Sequence, residues 1–203
     1  MRGRLRAARA LVLASMAVLF PALAAAQTGM ELRGSTARYR FVDLNHTFAS
    51  GIMADALYLG IPGQNELYLG LGYTLKPARW LTLVPLAYGV AGREKRERGL
   101  ALCASLVAEA GPWKAIAFAG RFLRTSGGVA TYDFADSIDV TRKVSGRWDA
   151  GVSSTVYRLD TAWTHQTGPL VRRGDARGSW ALSGRVGDGR ELRLVRVITF
   201  GAP

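Results

Sequence analysis

From residue 52 onward the chain divides into runs of about ten residues rich in Leu, Val, Tyr, Trp, Thr and Gly, each closed by turn chemistry. The turns fall at Ile61-Pro62-Gly63-Gln64-Asn65, Lys76-Pro77-Ala78-Arg79, Gly92 to Glu97, Gly111-Pro112, Ser126-Gly127-Gly128, Lys143 to Gly146, Arg173-Gly174-Asp175 and Gly187-Asp188-Gly189. Strands are expected at about 52–60, 65–75, 80–90, 98–109, 113–124, 131–142, 147–157, 162–172, 177–186 and 190–200. Several alternate. Leu100, Leu102 and Leu106 oppose Gly99, Ala101, Cys103, Ser105 and Glu109. Trp148, Ala150, Val152 and Val156 oppose Arg147, Asp149, Gly151, Ser153, Thr155 and Tyr157. In 114–122, Ile116, Phe118, Gly120 and Phe122 oppose Ala115, Ala117, Ala119 and Arg121. One face is greasy, and the other is small or polar rather than covered in Lys and Glu. That contrast suits the crowded lumen of a narrow barrel with its apolar face outward.

Residues 1–26 read as an export signal. Arg2, Arg4, Arg6 and Arg9 precede the apolar stretch Ala10–Leu23, and Ala24-Ala25-Ala26 supplies a small-residue cleavage site before Gln27. The apolar stretch is short of the roughly 20 residues that a membrane-spanning helix needs, and no later stretch reaches that length. The formal net charge of +12 drops by these four arginines to +8. For an exported chain, lipid or lipopolysaccharide phosphate is a more natural partner for such a charge than nucleic acid. The single cysteine, Cys103, excludes an intramolecular disulfide, so closure within lipid is the expected source of stability.

If 190–200 runs inward to the periplasm, Trp80, Trp113, Trp148 and Trp180 share the periplasmic end of the barrel. Tyr58, Tyr68, Tyr88, Tyr132 and Tyr157 then fall near its outer end, giving two aromatic girdles. Trp113 has the opposite parity to Ile116 and Phe118, which calls for a bulge. Arg196 shares the parity of Leu192, Leu194, Ile198 and Phe200, where a lipid-facing arginine would cost roughly 2–4 kcal/mol near the midplane and less near an interface. The whole pattern, including the ending Val195-Arg196-Val197-Ile198-Thr199-Phe200, resembles bacterial outer-membrane β-barrels, whose last strand closes on an aromatic residue. Here Gly201-Ala202-Pro203 follows. The resemblance implies an all-β, antiparallel up-and-down transmembrane barrel of about ten strands, with twelve as the alternative. Residues 51–203 would form the barrel. Residues 27–50, although 36–44 look strand-like, are read as a periplasmic arm or plug because an even strand count is required.

Chemistry is sparse. With two histidines and one cysteine far apart, no metal site is expected, and no cofactor motif is present. Glu109, Arg121, Asp133, Asp139, Arg147, Asp149, Arg185 and Arg193 project inward by parity, as a paired network or as a pore lining. His165 near the outer mouth, with Asp160 in the adjoining loop, is a weak candidate for general-base chemistry. Arg93, Lys95, Arg96 and Arg98 form an outer loop that suits phosphate. These features point to a non-enzymatic outer-membrane barrel: a narrow small-molecule passage, or a structural or binding component with possible envelope protein partners. The alternatives are a surface hydrolase acting on lipid or peptide, and a soluble periplasmic lipocalin-like barrel.

Overall fold

The structure, a computed structural model, describes residues 27–92, 98–125, 132–159 and 162–200. The expected leader, and the loop residues Arg93, Lys95, Arg96 and Asp160, lie outside them. The strands are β1 (Gln27–Ser35), β2 (Arg40–Thr47), β3 (Ile52–Ile61), β4 (Gln64–Tyr73), β5 (Leu75–Ala78), β6 (Leu81–Gly92), β7 (Gly99–Ala110), β8 (Trp113–Arg124), β9 (Tyr132–Ser145), β10 (Trp148–Leu159), β11 (Ala162–Asp175), β12 (Gly178–Gly187) and β13 (Arg190–Phe200). All pairings are antiparallel and run between sequence neighbours, with two exceptions that close the cylinder. β1 pairs with β13, and β4 pairs past β5 with β6. β4 and β5 both lie against β6 and act as one strand interrupted at Thr74, with a register slip between Leu75 and Ala78. The barrel therefore has twelve strands plus this short extension.

The main expectation of ten strands gives way to the twelve-stranded alternative, with its extra strand near Met30, and residues 27–50 supply the difference. They are neither arm nor plug: they form β1 and β2, which join β13 to β3. β1 gives only a weak signal because its inward positions include Glu31 and Arg33, and charge at both masks the alternation of Met30 and Leu32. The tight connection 36–39, with Arg38 at φ 62°, divides the segment into two strands and preserves the even count.

One end of the barrel carries the turns at 48–51, 111–112, 146–147 and 176–177 together with Gln27 and Phe200. It is called the turn end here, and the opposite one the mouth. Gly146 sits at φ 45°, a left-handed conformation that suits glycine in a two-residue turn. The outer surface between the ends is apolar. Leu67, Leu69 and Leu71 on β4, Leu100 and Leu102 on β7, and Leu192 and Leu194 on β13 all face out, Leu71 being 63% exposed. Trp80, Trp113, Trp148 and Trp180 ring the turn end from outside. Three of them lie directly across from an arginine on the next strand: Arg142 over Trp113, Arg173 over Trp148 and Arg196 over Trp180, at 5.9, 5.5 and 4.9 Å from the ring centres. Arg196 also pairs with Asp175 at 2.5 Å. Its outward position is thus accommodated at the barrel's edge by an ion pair and an aromatic face, with no register shift between β12 and β13.

Two expectations about faces need correction. On β8 the greasy side points in. Phe122 is fully buried, Phe118 packs against the same core, and Arg121 lies outside. Trp113 shares the outward parity of Ala115, Ala117 and Ala119, so no bulge is needed at its position. The second correction concerns the tyrosine girdle. Tyr58 is outside, donating to Asn65 Oδ1 at 2.9 Å, but Tyr68 and Tyr88 are buried inside, Tyr132 packs on the same core, and Tyr157 lines the interior. A β-carbon on Gly70 would collide with the Tyr88 ring, so glycine there makes room for it.

Candidate functional site

The interior has two unlike walls. The strands β2 to β8 supply Phe41, Leu57, Tyr68, Leu86, Tyr88, Val90, Ala101 and Phe122, which pack together as the buried apolar cluster. Carboxylates are embedded in this wall, and two of them accept from tyrosine hydroxyls. Tyr88 donates to Asp55 Oδ2 at 2.8 Å. Glu66 accepts from Gln64 at 2.8 Å, Tyr68 at 2.5 Å and Tyr132 at 2.9 Å, and the two tyrosine hydroxyls also bond each other.

The facing wall, from β9 to β13 and β1, is ionic. At its centre Asp136 of β9 accepts from Arg33 Nη1 at 2.5 Å and from Arg193 Nη1 at 2.7 and 2.9 Å, with Arg185 Nη1 at 3.6 Å. Thr155 and Tyr39 complete its shell at 3.0 and 3.3 Å. Glu191 takes Arg193 at 3.2 Å, and Glu31 takes Arg33 at 2.5 Å. The guanidiniums of Arg33 and Arg193 also lie over the Phe41 and Tyr39 rings, at 4.1 and 4.4 Å. Asp136 on β9 stands three to five strands round the twelve-stranded cylinder from the arginines of β12, β13 and β1. The cluster is therefore a strut across the lumen. Three buried guanidiniums meet three carboxylates, which is the pairing that desolvated charges require. Asp139, one step toward the turn end, accepts from Ser153 at 2.6 Å and Arg172 at 2.9 Å.

A bulge on β9 places both acids. Ile116 pairs with Asp139 and Phe118 with Asp136, so β9 carries an extra residue there, and Ser137 adopts φ 54°. Residues three apart on a regular strand face opposite ways. The bulge reverses the parity between 136 and 139 and turns both inward.

Of the residues singled out from sequence, Asp139, Arg185 and Arg193 meet in this ionic wall. The others lie elsewhere. Arg121 and Asp133 pair on the outside at 2.5 Å, where Arg158 joins them. Glu109 and Arg147 reach the turn end, exposed, with Glu109 paired to Lys114 at 2.6 Å. Asp149 is half-buried on β10. Arg98 is exposed beside the mouth. His165 is also exposed there; its backbone N–H donates to Asp188 Oδ2 at 2.7 Å and its Nδ1 stands 3.4 Å from the same oxygen. Among the described residues no hydroxyl or thiol bonds this imidazole, and no group of three or more His, Cys, Asp or Glu suits a metal. Sequence reading missed Arg33, Glu31, Asp136 and Glu191. The first two sat in the segment taken for an arm. Asp136 follows from parity only once the bulge is known.

Between the strut and the mouth lies a cavity of about 490 Å³. Phe41, Leu57, Leu59, Phe118, Phe134 and Tyr132 line its sides, Asp136 and Arg193 its floor, and Arg158, His165 and Asp188 its rim.

A closed, twelve-stranded antiparallel cylinder with an apolar exterior and a charged, partly filled lumen defines the fold of an outer-membrane porin-type barrel. Comparison with solved structures agrees. The KdgM porin superposes with a TM-score of 0.60 at 9% identity, over 87% of this chain and 99% of that one. The NanC porin gives 0.57 at 10% identity, over 87% and 100%. A structure of KdgM in complex with disordered oligogalacturonate gives 0.58 at 9% identity, over 87% and 99%. No protein-family model and no curated protein matches the sequence.

Proposed function

We propose that this protein is an outer-membrane channel of narrow bore for small molecules, without enzymatic chemistry, whose conductance is limited by the strut at Asp136. The observation that carries this reading is the combination of an apolar exterior with a lumen that is hollow at the mouth and crossed by ion pairs in its mouth-side half. The porin neighbours support it at the level of fold. The turn end, with its Trp–Arg pairs, then faces the periplasm, and the mouth faces outward, with Arg98, Arg121 and Arg158 near lipopolysaccharide phosphate. Export through the leader in residues 1–26 completes this placement.

Planar-bilayer recording of the refolded protein tests the reading. Wild type should give small, resolved conductance steps. Asp136→Ala removes the central carboxylate and leaves three cations, so conductance should rise and selectivity should move toward anions. Silent bilayers for both proteins, with correct insertion verified by altered gel mobility before boiling, would overturn the channel reading. A surface hydrolase would instead show turnover that is lost on His165→Ala.

A further inference from the structure

The cavity above the strut differs from a polar pore. Its sides are phenylalanine and tyrosine rings with leucine side chains, from the apolar wall and the mouth end of β9, where Phe118 and Phe134 turn inward. Tyr132 stacks on Phe122 with ring centres 5.1 Å apart, so the aromatic surface is pre-organised. The charges at the floor are already spent on one another: Arg33, Arg185 and Arg193 stand against Asp136, Glu191 and Glu31. Glu66 is held by three donors behind the Tyr68 and Tyr132 hydroxyls. At the rim, in contact with solvent, Arg158 shares Asp133 with Arg121, and Asp188 accepts from the His165 backbone N–H. An ionic guest entering between the apolar sides would lose its hydration and meet a floor whose charges are already paired, which is costly. An uncharged guest loses little and gains apolar contact, with Tyr157, Thr164 and Gln166 available for a hydrogen bond. The volume lies within the roughly 300–1,000 Å³ of small-molecule sites.

We infer that this cavity is a binding vestibule for a neutral, largely apolar ring compound bearing one or two hydrogen-bonding groups. The inference names the solute class for the proposed channel and rests on that reading for its role in passage, but binding itself is measured separately.

The test is equilibrium dialysis of radiolabelled 2-naphthol against the barrel in lipid nanodiscs, with empty nanodiscs as the blank for partition into lipid. Saturable retention above the blank is expected, unaffected by an excess of lactobionate, an acidic disaccharide. Thr164→Trp fills the cavity from an exposed wall position and should weaken retention at least tenfold. Phe134→Gln, a milder change, should weaken it several-fold, and gel mobility before boiling shows whether each variant is closed. Retention no greater than the blank, displacement by lactobionate, or an unaltered affinity in a correctly closed Thr164→Trp would each overturn the inference. Conductance recorded on the same preparation separates the two claims. Conductance without naphthol binding leaves the channel and removes the vestibule; binding without conductance does the reverse.

Discussion

The two walls of the lumen solve one problem in different ways. Every strand of a narrow barrel must put half its side chains into a confined, poorly hydrated space. From β2 to β8 that space is filled by rings and aliphatic chains, and Asp55 and Glu66 there accept hydrogen bonds from tyrosine hydroxyls. From β9 round to β1 it is filled by arginines and carboxylates that satisfy one another. The apolar wall leaves room at the mouth, because rings pack against their own wall. The ionic wall reaches across the lumen, because long guanidinium arms must find Asp136. The contrast teaches that inward does not mean polar in this barrel. Polarity inside is local, and the floor of the cavity lies where the two walls meet.

Substitutions on either wall should therefore fail differently. The largest effect is expected for Asp136→Ala, which strands three buried guanidiniums and should cost about 3–5 kcal/mol in urea titration of the folded barrel in liposomes. Phe122→Ala on the other wall should cost about 3 kcal/mol by cavity formation, whereas Leu102→Ala, facing out beside it, should cost far less. A result in which Leu102→Ala is the more damaging would reverse the inside and outside of β7 and β8. Next in size is Ala117→Arg. With Ala117 on the lipid side, it should lose roughly 2–4 kcal/mol near mid-depth. A neutral outcome would restore the lumenal placement of that face. The smallest effect is expected for Arg121→Ala. Its pair with Asp133 is exposed and should contribute between about 0 and 1 kcal/mol, and less still in high salt.

The strand positions from β3 to β13 were legible because turn residues punctuate them so regularly. Pro62-Gly63, Gly111-Pro112 and Gly187-Asp188-Gly189 each mark a hairpin that the structure contains. Which side faced the lumen was legible only where the inward residues are small or polar. Ser153 and Thr155 against Val152 on β10 is such a case. On β8 the inward residues are Phe118 and Phe122, so an apolar-out rule inverts the strand. The parity of Trp113 already signalled this, since an interfacial tryptophan belongs on the lipid side. β1 was only weakly legible because its inward Glu31 and Arg33, which pair with each other, break the apolar alternation, and the Asp136 that anchors Arg33 lies 103 positions away. The strut at Asp136 depended on a one-residue bulge at Ser137, and nothing in the neighbouring sequence specifies where a strand slips. The cavity was beyond reach for the same reason, since its walls are set by the faces of β8 and β9.

The measurement closest to the centre of this account is spin-label accessibility along β8 in liposomes, on a Cys103→Ser background with single cysteines placed from 115 to 119. Labels at Ala115, Ala117 and Ala119 should collide with lipid-dissolved oxygen and be shielded from a water-soluble nickel chelate, while those at Ile116 and Phe118 should show neither strong lipid exposure nor the same oxygen access. The opposite alternation would return the aromatic side chains to the membrane and abolish the apolar wall. Uniform access to the nickel chelate at all five positions would contradict a closed barrel in lipid altogether.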